Sequence, residues 1–305
     1  MALRQGFITL SHNKGLQQFT VQNPVARKVS RRFVAGEQLS EAVNAIRALN
    51  ARGITATFDH LGESVTSESE ACDSAQSYFT ILDRIQQTGI QSNVSLKLTQ
   101  MGLDLDTEFC YRNVRPVIAK ARDLGNFVRV DMESTAETQR TFDVFYRLHD
   151  EFPENVGIVV QAYLYRTAKD IDDLIARKAR VRLCKGAYKE PADLAYPAKA
   201  DVDRNYARLM RKLLVYGNYP AIATHDIRLI NYAKHFVTEH KIGPERFEFQ
   251  MLYGIRGQLQ ELLVQEGYRM RVYVPYGEQW YPYFMRRLAE RPANVVFIMS
   301  NLVKR

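Results

Sequence analysis

Three side chains that can bind an anion lie on one face of a predicted C-terminal helix. Tyr283, Arg286 and Arg287 are three and four residues apart, a spacing that places functional groups side by side on an α-helix. Two adjacent guanidinium groups can bind a carboxylate through paired hydrogen bonds. The spacing therefore indicates a carboxylate site, and the alternative is a solvated basic face that pairs with Glu290.

Two further charged groups lie at the ends of neighbouring predicted strands. Lys97 lies in Val-Ser-Leu-Lys-Leu, where alternation places it on the same face as Ser95, and Asp131 ends the next strand. Because neighbouring strands lie about 4.8 Å apart, we expect Asp131 to be the partner of Lys97. The pair is either structural or a cation held ready for a substrate anion.

A third basic segment runs from Arg180 to Gly186. Alternation places Arg180 and Arg182 on one face of a strand, and Lys185 follows at its end. Arginine is rarely buried without an anion, and glycine lets the backbone approach a ligand closely. The segment is either a rim facing solvent or a site where Arg182 and Lys185 meet a phosphate or an electron-rich ring.

The remaining motifs mainly exclude particular classes of binding and catalytic site. His225 stands before Asp226, which is suited to cap the helix that follows. The six histidines and three widely spaced cysteines match no metal-ligand spacing, so we predict no metal. The sequence contains no Gly-x-Gly, no GxxxxGK[ST] and no GxSxG. These absences argue against a Rossmann dinucleotide site, a P-loop and a serine hydrolase elbow.

The elements that must position these groups alternate between strand and helix. Eight short runs rich in β-branched and aromatic residues are separated by segments of helical periodicity, which predicts a parallel sheet covered by helices. Eight repeats over about 220 residues favour a closed (β/α)₈ barrel over an open sheet. The predicted strands are residues 54–60, 94–99, 127–132, 157–162, 181–185, 221–225, 247–252 and 270–274, and the predicted helices include 68–87, 135–149, 168–177, 203–216, 228–239 and 258–265.

The barrel brings the ends of its strands to one mouth, where the reactive groups of such folds lie. Residues 1–53, which hold a basic region at 27–32 and an amphipathic run at 39–49, are expected to form a short helical arm. Residues 54–305 are expected to form the catalytic barrel. The segment Pro275-Tyr-Gly277 is predicted to end the eighth strand, so that a final helix at 278–291 can lie across the mouth.

Composition is that of a globular protein. The 305 residues are 46% hydrophobic and 25% charged, with a net charge of +8, which suits an anionic substrate, an anionic membrane surface or nucleic acid. The positive residues are dispersed and no aromatic RNA-binding run accompanies them, so we expect no nucleic-acid partner. Without an apolar run of about 18 residues or a secretory leader, a cytoplasmic protein is expected.

Seven segments, in order along the chain, resemble the proline dehydrogenase family of flavoenzymes. This family oxidises L-proline to Δ1-pyrroline-5-carboxylate, the first step of proline catabolism. The matching segments are residues 57–63 (TFDHLGE), 95–98 (SLKL), 182–188 (RLCKGAY), 223–226 (ATHD), 247–254 (FEFQMLYG), 272–277 (VYVPYG) and 283–290 (YFMRRLAE).

The resemblance implies a distorted (β/α)₈ barrel whose last helix covers the mouth, with non-covalent FAD at the strand ends. It assigns the substrate carboxylate to Arg286, Arg287 and Lys97, the substrate ring to Tyr273, Tyr283 and Leu252, and supporting roles to Tyr188 and Asp131. It assigns the flavin to Gln161, Arg182, Lys185, Gly186, Ala187, Thr224, His225 and Glu290.

The resemblance also implies the reaction and its partners. Hydride passes from proline C5 to flavin N5, and a quinone reoxidises the flavin, with at most peripheral contact at the inner face of the cell membrane. The product is handed to a separate pyrroline-5-carboxylate dehydrogenase. An arginine that helps to hold FAD in larger relatives is missing from Pro197-Ala-Lys-Ala200, where Lys199 or Arg204 could substitute.

One alternative enzyme class uses the same barrel without a flavin. In that case Lys97 or Lys185 would act as the nucleophile of a Schiff-base lyase.

Overall fold

A closed barrel of eight parallel strands forms the centre of the molecule. The structure, a computed structural model, describes residues 29–62 and 64–290, except for the side chains of residues 288–290. Each strand pairs with the next, and the eighth pairs with the first, so the predicted (β/α)₈ barrel is confirmed. The strands are β1 Thr55–His60, β2 Ser92–Leu96, β3 Val128–Val130, β4 Val156–Gln161, β5 Arg180–Cys184, β6 Ala221–Ala223, β7 Glu248–Leu252 and β8 Met270–Tyr276.

Helices separate successive strands and cover the outside of the barrel. Several begin where a Ser or Asp side chain accepts a hydrogen bond from the first helical turn, as at Ser67, Asp106, Ser134 and Asp226. In the described residues the α-helices are α1 Leu39–Asn50, α2 Glu68–Thr88, α3 Thr107–Asp123, α4 Thr135–Glu151, α5 Thr167–Ala176, α6 Lys199–Tyr216, α7 Ile227–Glu239, α8 Gly257–Gln265 and α9 Trp280–Glu290.

The structure differs from the predicted elements in several places, and β2 ends at Leu96, so Lys97 directly follows this strand instead of lying in it. Helix α3 was not among the predicted segments, and it contains Pro116, a residue that usually interrupts a helix. The eighth strand ends within the predicted segment Pro275-Tyr-Gly277, but two residues beyond the predicted bound of 274, because β8 continues to Tyr276. On the β7 side of β8, pairing ends at Tyr273, and the Pro275 carbonyl instead accepts from the Ala35 N–H. The missing N–H of proline therefore costs no bond between strands at this position.

The two faces of the barrel sheet have different compositions. Outward-facing residues such as Phe58, Leu96 and Val130 are fully buried beneath the helices, and this apolar layer provides the main hydrophobic stabilisation. The barrel interior is polar. At the end of the barrel formed by the amino termini of the strands, here called the floor, Arg271 Nε donates to Glu248 at 2.8 Å. Arg271 Nη1 donates to the Asn93 side chain at 3.2 Å.

The last helix lies beside the carboxyl ends of β1 and β7. Trp280, Tyr283 and Phe284 of α9 form an apolar cluster with Leu61, which follows β1, and Ile255, which follows β7. Helix α1 packs against β1 and β8. The division into an arm of residues 1–53 and a barrel of residues 54–305 stays a prediction, and residues 1–28 and 291–305 lie outside the described part of the chain.

Candidate active site

Asp131 is the centre of a buried hydrogen-bond network at the carboxyl ends of the strands. Its Oδ1 accepts from the Ser95 hydroxyl at 2.6 Å and from Arg182 Nη1 at 2.8 Å, and its Oδ2 accepts from the Tyr273 hydroxyl at 2.7 Å. The Arg182 guanidinium lies 5.3 Å from the centroid of the Tyr273 ring. Burial and then the charge of Asp131 raise the pKa of Tyr273 well above its ordinary value, so its hydroxyl remains a donor.

Lys97 pairs with Asp59 rather than with Asp131. Its ammonium lies 3.1 Å from Asp59 Oδ1, so the expected Lys97–Asp131 pair is wrong. Strand β2 has a neighbour on each side, and alternation along one strand does not say which neighbour supplies the partner. The Asp131 carboxylate is already bonded to Ser95, Arg182 and Tyr273, whereas Asp59 lies near the end of β1, the strand on the other side.

Two buried side chains at the mouth retain unused hydrogen-bonding atoms. Gln161 Nε2 donates to the main-chain oxygen of Glu133 at 3.2 Å. Gln161 Oε1 and the Nε and Nη2 atoms of Arg182 have no hydrogen-bond partner among the described residues. Arg182 is only 6% exposed, so the alternative of a rim facing solvent is wrong for this residue. These donor and acceptor atoms can bind a polar planar group placed beside them.

Lys185 lies between two carboxylates at the ends of β5 and β6. Its ammonium contacts Asp203 of α6 and Asp226, the latter at 3.0 Å. Asp226 also caps α7 as predicted, accepting from the Arg228 N–H. Burial alone would raise the pKa of Asp226, but hydrogen bonds from Arg228 and Lys185 outweigh burial and lower it. The Asp226 carboxylate is therefore ionised at neutral pH.

Thr224 and His225 join this cluster to β7. The Thr224 hydroxyl accepts from the Asp226 N–H at 3.1 Å. His225 Nε2 accepts from the Leu252 N–H at 2.9 Å, so a neutral His225 carries its proton on Nδ1. Across the described residues, no group of three or more His, Cys, Asp or Glu side chains is placed to hold a metal ion.

The loop after β5 approaches the mouth closely at Gly186. The φ of Gly186 is +111°, and a Cβ atom there would lie 2.3 Å from the Tyr163 ring, so only glycine fits. Ala187 and Tyr188 follow and are half-buried. Further along, Glu190 accepts from the Thr135 N–H at 3.0 Å and from the Tyr163 hydroxyl at 3.3 Å.

The predicted basic face of α9 is largely buried. Tyr283 and Arg287 are 6% and 8% exposed, and Arg286 is half-buried. The Arg287 guanidinium lies 5.1 Å from the centroid of the Tyr283 ring. A solvated basic face therefore does not describe Arg287, and the Glu290 side chain lies outside the described residues.

Three acidic residues of the site have roles that the sequence patterns did not predict. Asp59 holds Lys97, Glu190 holds the loop after β5, and Asp203 holds Lys185. The sequence places Asp59 at the mouth end of the first predicted strand, but it does not indicate that Lys97 is its partner. No local pattern marks Glu190 or Asp203, since their partners lie on other elements.

The family model and the curated relatives that match this chain carry the same description. A family model described as "Proline dehydrogenase" matches residues 42–300. The chain is 43% identical to proline dehydrogenase 2 of Bacillus subtilis (strain 168), over all of both chains. It is 42% identical to proline dehydrogenase of Deinococcus radiodurans, over 99% of this chain and 98% of that one.

Among solved structures, the fold is similar to that of a longer protein. The crystal structure of proline utilization A (PutA) from Bdellovibrio bacteriovorus inactivated by N-propargylglycine matches with a TM-score of 0.81 and 27% identity. The match covers 91% of this chain and 34% of that one, so this chain spans about a third of the length of that protein.

Proposed function

Because this chain belongs to the proline dehydrogenase family, and is thus an oxidoreductase acting on proline, we propose that it produces Δ1-pyrroline-5-carboxylate and uses FAD. The reaction removes a hydride from C5 and a proton from the ring nitrogen of neutral proline, two electrons and two protons in all, and leaves an N=C5 imine. When bound, FAD accepts the hydride that leaves C5. The protein residues bind and orient the substrate.

The observation that carries the proposal is the set of buried polar atoms without partners beside Asp131. Arg182 Nε and Nη2 supply donors, and Gln161 Oε1 supplies an acceptor. A flavin ring carries both carbonyl oxygens and an N–H along one edge, so the chemistry of these atoms fits the cofactor. The residues proposed to hold FAD are Gln161, Arg182, Lys185, Gly186, Ala187, Thr224, His225 and Glu290.

On the substrate side, we assign the proline carboxylate to Lys97, Arg286 and Arg287. Tyr273, Tyr283 and Leu252 would border the ring, with Asp131 and Tyr188 in support. Cations around a bound amino acid disfavour a second positive charge close by. Protein cations bound to the carboxylate would therefore favour the neutral amine, which is the form that can become an imine.

The Schiff-base alternative receives no support from the two lysines. Lys97 is paired with Asp59, and Lys185 is paired with Asp203 and Asp226. Both side chains are held in ion pairs, whereas a Schiff-base nucleophile must be an amine that is free to attack a carbonyl.

For the electron acceptor we propose a quinone, and for the product a separate pyrroline-5-carboxylate dehydrogenase. The net charge of +8 is compatible with peripheral contact at an anionic membrane surface. Of the helices that the structure describes, none is long and apolar enough to cross a membrane.

The purified protein tests the proposal directly. We expect a yellow protein whose flavin absorbance bleaches when L-proline is added without oxygen, and NMR should show the imine product. D-proline is the matched control and should bleach the flavin far more slowly. A colourless protein that is inactive with added FAD, or a flavin that proline does not reduce, would contradict the proposal.

A further inference from the structure

We infer that Asp59 is a positioning residue for the substrate carboxylate, because it holds the Lys97 ammonium at the barrel mouth and keeps it charged. The inference rests on the proposed function, in which Lys97 binds the carboxylate of proline. Neither the sequence motifs nor the comparisons assign Asp59 this role.

The Asp59 side chain is not exposed to solvent. Its side chain is fully buried at the end of β1, and Oδ1 lies 3.1 Å from Lys97 Nζ, whose side chain is 9% exposed. Oδ2 has no hydrogen-bond partner in the described part of the chain. A buried ammonium needs a nearby negative charge to remain ionised, and Asp59 supplies that charge from beneath, so the substrate can approach from the mouth.

Charged and titratable groups face this pair from several elements. The pKa of Asp59 is influenced by Asp131, which directly follows β3, and by Tyr273 of β8. The charge of Asp59 in turn raises the pKa values of Tyr78, His60 and Tyr276 relative to what burial alone would give. Burial raises the pKa of Asp59, and the charge of Lys97 opposes that rise. The carboxylate and the ammonium therefore stabilise each other's charged forms.

Removing the carboxylate charge should make substrate affinity depend on pH. In Asp59→Asn the Lys97 ammonium loses this counter-charge, and burial then favours the neutral amine. A neutral amine does not attract a carboxylate. Affinity should therefore fall as the pH rises, by up to about tenfold per pH unit once the amine loses its proton, while turnover at saturating proline changes much less.

The probe is cyclopentanecarboxylate, which keeps the ring and carboxylate of proline but has no amine to titrate or oxidise. Its inhibition constant against proline is measured with the flavin-loaded enzyme from about pH 6.5 to about pH 9.5, where the probe stays ionised. We expect a flat profile for the unaltered protein and a rising inhibition constant for Asp59→Asn. A flat profile with an unchanged constant in the variant would overturn the inference.

Two further variants separate this inference from its premise. Lys97→Met should raise the inhibition constant at every pH. If it does not, the proposed carboxylate site is wrong, and the role of Asp59 falls with it. If Lys97→Met has its effect and Asp59→Asn has none, only the role of Asp59 is wrong.

The matched control is Glu248→Gln, which removes another buried carboxylate, one paired with Arg271 at the barrel floor. It should reduce stability without adding a pH dependence to inhibition, and a pH dependence there would count against a specific role for Asp59.

If Asp59→Asn does not fold, Asp59→Glu is the variant to measure. It keeps the charge but displaces the ammonium, so the inhibition constant should rise and its profile stay flat. An unchanged constant would overturn the inference.

Discussion

Arg286 and Arg287 differ in their surroundings, although they are adjacent in sequence. Arg287 is buried against the Tyr283 ring, whereas Arg286 is half-buried. A charge removed from a buried binding site leaves its partner anion desolvated and unpaired, so the loss is larger where water is excluded. The two residues therefore should not contribute equally to substrate binding.

We predict that Arg287→Met weakens proline binding by ~2–5 kcal/mol and Arg286→Met by less, while both variants retain FAD. Steady-state KM and the inhibition constant of cyclopentanecarboxylate measure binding, and the flavin-to-protein absorbance ratio measures retention. Unchanged constants in both variants would remove α9 from the substrate site.

Tyr273 combines two contributions that substitutions can separate. Tyr273→Phe removes only the hydroxyl that donates to Asp131, whereas Tyr273→Ser also removes the ring. We predict that the Ser variant raises kcat/KM for hydroxyproline relative to proline, because the pocket is larger, and that the Phe variant does not. Equal substrate preference in all three proteins would show that the ring does not border the substrate.

The loop between β5 and α6 contains several of the residues proposed to hold FAD. Glu190 ties this loop to the first residue of α4 through the N–H and hydroxyl of Thr135, where a negative charge also suits the helix N-terminus. A short antiparallel bridge between Leu164 and Ala195 anchors the same loop. The loop position therefore depends on contacts outside its own sequence.

We predict that Glu190→Ala weakens FAD binding roughly tenfold, the scale of a lost hydrogen bond to a charged group. Flavin release is followed by fluorescence during dilution or dialysis. Lys189→Ala, at the exposed neighbouring position of the same loop, is the matched control and should retain FAD normally. Equal retention in the two variants would contradict a holding role for Glu190.

Elements were more predictable from sequence than the contacts between them. The apolar faces of β1, β2 and β3 repeat with a period of two, and α7 begins directly after its predicted cap Asp226, because these signals are local. The partner of Lys97 was predicted wrongly because it depends on which neighbouring strand offers a free carboxylate. The role of Glu190 was not predicted, because Thr135, from which it accepts a hydrogen bond, lies 55 residues away in the sequence.

For the whole molecule, the charges inside the barrel favour bound anions. On the described strands and the residues that directly follow them, the cations that meet inside the barrel outnumber the carboxylates. Arg180, with its side chain 33% exposed, adds another cation at the floor. Such an excess favours a substrate carboxylate and any negative charge that develops at the mouth. The cations are Lys97, Arg129, Arg182 and Arg271, and the carboxylates are Asp59, Asp131 and Glu248.

The Lys185 cluster should make global stability sensitive to acid. The pKa of Asp226 is lowered in the folded protein by the hydrogen bonds that outweigh burial. A lowered carboxyl pKa stabilises the fold above the unfolded pKa of about 4 and loses that contribution as the pH falls through the folded value.

We therefore predict that Asp226→Asn reduces the free energy of unfolding at pH 7, and that the difference from the unaltered protein shrinks steadily below about pH 4. Urea unfolding at several pH values measures this. Asp201→Asn, an exposed carboxylate of the same region that pairs with Arg204, is the control and should have little effect. A difference for Asp226→Asn that is constant down to pH 3 would contradict the assigned ionisation.

We propose that one barrel mouth holds FAD through Arg182 and Gln161 and a small carboxylate through Lys97 and the arginines of α9. A crystal structure of the protein with FAD and cyclopentanecarboxylate tests it most directly. We expect flavin polar atoms within hydrogen-bond distance of Arg182 and Gln161, and the carboxylate on Lys97, Arg286 and Arg287. A carboxylate bound away from these cations, or a flavin that leaves Arg182 and Gln161 without contacts, would contradict it.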